Sequence, residues 1–204
     1  AKRGRIPQKL TISPYSLDSL VAFIQTAKKT LQLQNQYITD SKLAQALIDV
    51  KKKNPELQIE INLSDLCERG SIPDSKRYAS RLMFQGFEDA GIRLKIFPKK
   101  QLVKGHPGYL HAKAIVIDAN TSAAKAWIGS VNGSTMSLSQ NREFGIYFRQ
   151  ATRVRELGSQ LKADFEDSQA ISWQKSVLEC PSPKPRGNST RQPEVDEDAL
   201  EPEP

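Results

Sequence analysis

The stretch YLHAKAIVID, Tyr109 to Asp118, decides how this chain is read. Its aliphatic run reads as a strand, and residues two apart in a strand share a face. His111 and Lys113 therefore point one way, and Ala112, Ala114 and Val116 the other. The second set is small or branched, as in a central strand covered on both sides. Such a strand is rigid, which suits groups that must be held in place. A buried charge or imidazole is costly unless something pairs with it, and a phosphate group would pair with both.

Working outward, strand and helix signals alternate. KLTIS (9–13) reads as a short strand. Ser16 is placed as the N-cap of a helix with Leu17, Leu20, Val21, Ile24 and Ala27 on one face. LQLQNQY (31–37) begins with strict alternation and reads as a strand. SKLAQALIDVKKK (41–53) reads as a helix capped by Asp40, with Leu43, Leu47 and Val50 on one face. LQIEINL (57–63) alternates again. A helix near 75–90 is followed by Gly91 and the strand IRLKIF (92–97). A loop at 98–108 leads into Tyr109. AWIGS (126–130) and EFGIYF (143–148) read as strands, and a last helix carries Val154, Leu157, Leu161 and Phe165. Alternating strands and helices predict an α/β fold, a layered α/β/α sandwich on a mixed β-sheet.

By itself His-x-Lys carries little, since about one chain in five of this composition would hold it by chance. The wider pattern carries more. It runs His111-x-Lys113-x4-Asp118, then Gly129-Ser130-x-Asn132, then Asn141-Arg142-Glu143 at a strand start. The fixed aspartate alone brings chance to about one in a hundred.

This pattern resembles the phospholipase D superfamily, whose signature is H-x-K-x4-D followed by G-S-x-N. The likeness extends over about residues 9–167, through SPYSLDSLVAFIQTAKKTLQLQNQYITDSKLAQALIDVKK and FEDAGIRLKIF. It implies a metal-independent phosphodiesterase that needs no cofactor. His111 would attack phosphorus and form a phosphohistidine. Lys113 would hold a non-bridging oxygen of the transition state. Asn132 would donate to the same phosphate, Ser130 would line the pocket, and Glu143 would orient His111. Asp118 completes the signature. By strand parity it faces away from His111, so its expected role is to tie the strand end to neighbouring backbone.

Two departures stand out. Asp118 to Gly129 is a few residues longer than usual in the family and reads as a hairpin insertion. There is also one signature, where the family's active site uses two. A second histidine must protonate the leaving oxygen and then activate water or an alcohol. His106 is the other histidine, in a Gly/Pro loop without a lysine two residues on, so it is expected to line the substrate entrance or to have no catalytic role. The second set would come from a homodimer partner across a two-fold axis or from the missing half of a longer chain. The start at Ala1 and the opening LTISPYSLDSLVAFI, similar to second halves of two-signature members, favour the latter; both stay open.

Substrate class is the finer question. The run GSVNGSTMSLSQNREFGIYF is more similar to lipid-handling and bacterial members than to small nucleases, so a phospholipid is the favoured substrate. Nucleic acid, cut by the same chemistry, is the alternative, and a non-catalytic phosphate-binding module is a third. The chain carries +7 overall, and the segment 181–204 carries −3, which leaves +10 on the rest. A basic body suits an anionic partner. Lys99, Lys100 and Lys104 are candidate substrate contacts, with a plain solvated loop as the alternative reading.

Composition bounds the remainder. With 204 residues, 38% hydrophobic and 26% charged, the chain can bury one sizeable core. We expect a basic lead-in (1–8), a phospholipase D-like catalytic domain (9–180) and a disordered Pro-rich acidic tail (181–204). No secretory signal and no apolar run of membrane-spanning length is visible, which leaves the compartment open. Cys67 and Cys180 could make one disulfide, but their spacing suggests neither a disulfide framework nor a zinc site, so two unrelated thiols are the favoured reading and their pairing stays open.

Overall fold

In the computed structural model, residues 9–67, 72–98 and 109–180 are described. The expected lead-in and tail lie outside them. So do Lys99, Lys100, Lys104 and His106.

Eight strands form one mixed sheet in the order β1-β7-β6-β5-β2-β3-β4-β8. They are β1 (Leu10–Ile12), β2 (Thr30–Asn35), β3 (Gln58–Ser64), β4 (Arg93–Phe97), β5 (Ala114–Ile117), β6 (Lys125–Gly129), β7 (Phe144–Phe148) and β8 (Ile171–Ser172). The helices are α1 (Ser16–Ile24), α2 (Ser41–Lys53), α3 (Asp74–Asp89), α4 (Thr135–Ser139), α5 (Ala151–Glu166) and α6 (Trp173–Glu179). Strands β2, β3 and β4 are parallel, and the remaining pairings are antiparallel.

Helices cover both faces, as the sandwich reading expects. Leu31, Leu33, Ile59, Ile61, Ile115 and Ile117 project into a core closed by Leu20, Ile24, Leu47, Phe84, Phe87 and Trp173 from α1, α2, α3 and α6. On the other face Ala114, Val116 and Ala126 pack under Val154 and Leu161 of α5. The alternation in β2 and β3 thus sorts apolar residues to the larger core. Of their polar partners Gln34, Glu60 and Asn62 are buried too, and Gln34 Nε2 donates to Asp164 Oδ2 of α5 at 2.8 Å.

Asp40 caps α2 as expected, accepting from the backbone N–H groups of Lys42 and Leu43, both at 3.0 Å. Gly91 takes the left-handed conformation after α3, with φ 78°.

Four expectations are corrected. Ser16 does not cap α1: Tyr15 occupies that position, and the Ser16 hydroxyl donates to the Leu138 carbonyl at 2.9 Å. Burial beside α4 recruited it into a tertiary contact. The run from Tyr109 to Asp118 is strand only over Ala114–Ile117, the stretch paired to both β2 and β6. The helix of Val154 and Leu161 is not the last, since β8 and α6 follow it. Finally, Cys67 and Cys180 are bonded as a disulfide, with Cα atoms 5.5 Å apart. Packing of α6 against α3 and β4 brings together two thiols 113 residues apart.

Candidate active site

Chain direction assembles the site. Because β5 and β6 are antiparallel, as are β6 and β7, the start of β5, the end of β6 and the start of β7 share one sheet edge. The start of β5 brings His111 and Lys113, the end of β6 brings Gly129 and Ser130, and the start of β7 brings Glu143. Strand β2 runs antiparallel to β5 with Gln34 opposite Ala114, so its carboxyl end and that of β3 reach the same edge. Crevices outside the carboxyl ends of parallel strands are the usual ligand sites of such sheets.

His111 is exposed, and its ring meets Tyr109 edge to face, centroids 5.5 Å apart. Lys113 is buried to 6% exposure, and its Nζ donates to the His111 carbonyl at 2.6 Å. The two residues therefore differ in burial, although the motif pairs them. The Lys113 carbonyl in turn accepts from Gly129 N–H at 3.2 Å, which ties the histidine segment to β6.

Gly129 is required by space. A Cβ there would lie 2.5 Å from the Phe144 carbonyl oxygen and 2.7 Å from Gly145 Cα, both backbone atoms of β7. This tight crossing lets Ser130 N–H donate to the Phe144 carbonyl at 2.9 Å. Its hydroxyl accepts from Phe144 N–H at 3.3 Å. Glu143 stands just before β7, where its Oε1 accepts from Asn141 Nδ2 at 3.2 Å.

Asn132 sits in a loop stitched to the end of β2. Gly133 N–H donates to the Tyr37 carbonyl, and Thr39 N–H donates to the Gly133 carbonyl. The Asn132 amide donates to Gln36 Oε1 at 3.2 Å and to Tyr37 OH at 3.4 Å. Its Oδ1 is buried without a hydrogen-bond partner. Gln36 and Tyr37 are functional neighbours that the sequence reading passed over. Their signal was the run of amide side chains, Gln34-Asn35-Gln36, ending an otherwise alternating strand.

Asp118 does not join this group. It lies at the other end of β5, with φ 53° and 2% exposure. Its carboxylate accepts from the backbone N–H groups of Lys29 at 2.7 Å, Thr30 at 2.9 Å and Lys28 at 3.2 Å. Two pKa displacements lie away from the edge. Burial, then Arg149, lowers that of Lys125 at the far end of β6, and burial raises that of Tyr147 within β7.

Comparison with known proteins agrees with this fold. Residues 20–168, more than half of the chain, match the family described as cardiolipin synthase, PLD-like domain. A search of curated proteins finds no match. Among solved structures the fold is similar to Nuc, a phospholipase D family member from Salmonella typhimurium, with TM-score 0.63 and 17% identity over 80% of this chain and 97% of that one. NucT from Helicobacter pylori superposes with TM-score 0.61 at 17% identity, covering the same shares of the two chains. Phosphatidylserine synthase from Haemophilus influenzae gives TM-score 0.62 at 15% identity over 81% of this chain and 38% of that longer one.

Proposed function

Because the chain belongs to the phospholipase D superfamily, we propose that it is a phosphodiesterase working through a phosphohistidine, with a phospholipid as its favoured substrate. The observation that carries this reading is the sheet edge itself. There an exposed imidazole and a buried ammonium from the start of β5, a loop amide after β6 and a carboxylate before β7 are delivered by three different segments. His111 attacks phosphorus, a P–N bond forms, and the P–O bond to the leaving alcohol breaks. Glu143 orients the ring. Lys113 supplies positive charge where the five-coordinate transition state is most negative. Asn132 donates a side-chain N–H to the same phosphate. Asp118 holds the far end of β5 to the backbone of residues 28–30.

The leaving oxygen takes its proton from a second histidine, which then takes one from water or an acceptor alcohol as that oxygen bonds to phosphorus and the P–N bond to His111 breaks. That histidine comes from a second signature set, in a partner copy or another part of a longer chain. An exposed apolar strip supports such docking: Ile128, Phe144 and Ile146 are 38%, 53% and 45% exposed on the strands that carry Ser130 and Glu143. Endonuclease action by the same chemistry is the second reading, favoured by the +10 charge outside residues 181–204. Salt separates the two, because binding to nucleic acid weakens steeply with added salt and binding to a neutral lipid does not.

The test is hydrolysis of an aryl phosphodiester in excess chelator over a range of protein concentrations. Activity that His111→Asn reduces at least about a thousandfold supports covalent catalysis. Specific activity rising with concentration identifies a second copy as the source of the second histidine. Activity unaffected by His111→Asn overturns the mechanism.

A further inference from the structure

Beside the phosphate edge, a cavity of about 630 Å³ opens between α3, α4 and the ends of β2 and β3. Its described walls include Leu63, Leu66, Ile72, Met83, Phe84 and Met136. Among the described residues the charged lining is one acid and one base, Asp65 and Lys76. Three lining residues also touch the site already described. Gln36 and Tyr37 accept from the Asn132 amide, and Asn141 donates to Glu143. The cavity therefore adjoins the phosphate edge through these three residues.

The composition of this wall points to its occupant. The chain has two methionines, and both line the cavity. Methionine is unbranched and polarizable, and recurs where an apolar surface must adapt to a flexible ligand. Met136 is 60% exposed at the rim. The volume lies within the range of small-molecule sites, which are mostly apolar with a few placed polar groups. A polynucleotide running on from the phosphate would need cations along its path, and here Lys76 is offset by Asp65.

We propose that this cavity takes the aliphatic chain of the substrate, while its phosphate rests on Lys113 and Asn132. The inference rests on the reading of the edge as a phosphodiester site, and the test separates the two. Butyl, octyl and dodecyl phosphate, each below its micelle concentration, are titrated calorimetrically into the full chain carrying His111→Asn. Affinity is expected to rise with chain length, by up to about fourfold per buried methylene. Adding Met136→Glu, a rim change that leaves the core intact, should flatten the rise while butyl phosphate binds as before. Adding Lys113→Gln should weaken every member of the series. Butyl phosphate bound through Lys113 with no gain from longer chains would overturn the inference and leave the phosphodiester site standing. A length dependence indifferent to Lys113→Gln would overturn it too, since the chain would then be unconnected to the phosphate. No binding by any member would overturn both readings.

Discussion

Lys113 and Asp118 are both buried and both belong to one short motif, yet the structure gives them different surroundings. Lys113 lies at the edge shared with His111, Ser130 and Asn132, so Lys113→Gln should lower kcat by about 10²–10³ with the folded state retained. A steady-state assay alongside circular dichroism checks this, and a loss in KM alone would count against it. Asp118 has its carboxylate on three backbone N–H groups at the far end of β5. Asp118→Ala leaves those donors buried, at a cost of about 2–4 kcal/mol measured by urea unfolding. Activity per folded molecule should stay within about threefold of wild type. The sequence expected Asp118 to tie the strand end to neighbouring backbone, and what separates it from His111 is its place at the opposite end of β5 rather than strand parity. The sequence could not show that Lys113 is buried while His111 is exposed, because that depends on how other segments pack around the start of β5.

Among the elements, the β6–β7 pair carries the closest tolerance. Gly129 faces Gly145 across the ladder, and the Phe144 carbonyl fills the space a side chain would need. Gly129→Ala should force the strands apart, costing about 1–3 kcal/mol. Because Ser130 is anchored to Phe144 through that crossing, turnover should also fall beyond the loss of folded protein. A chemical-denaturation curve and a kcat measurement on the same sample separate the two effects. Long periodic elements were legible in the sequence, α2 to the residue and β3 to within one. The short ones, α4, β8 and α6, were not. Five- and seven-residue helices and a two-residue strand have too little periodicity to show, and tertiary packing holds them.

At the scale of the whole molecule, the Cys67–Cys180 disulfide joins the segment after β3 to the end of α6. Asp65 reinforces the junction by accepting from Cys67 N–H and from the Ser176 hydroxyl. Closing so long a loop is worth about 2–4 kcal/mol through the unfolded state, equivalent to roughly 5–15 °C in Tm. Scanning calorimetry with and without a thiol reductant checks this, with Cys67→Ser/Cys180→Ser as the control that no longer responds. An unchanged Tm in reductant would show that the bond contributes nothing. Among the described residues no helix is long and apolar enough to cross a membrane.

The sequence by itself determined the α/β alternation, the mixed sheet, and the spacing that joins His111, Lys113, Ser130, Asn132 and Glu143. These are readable because helix and strand periodicity are local, and because a motif at fixed spacing leaves its trace in the order of residues. Tertiary structure alone decided the rest. It paired two cysteines 113 residues apart, set Gln36 and Tyr37 against Asn132, and gathered Met83 and Met136 around one cavity. Such contacts follow from strand order and helix docking. They join residues far apart in the chain, whose separation carries no periodic signal.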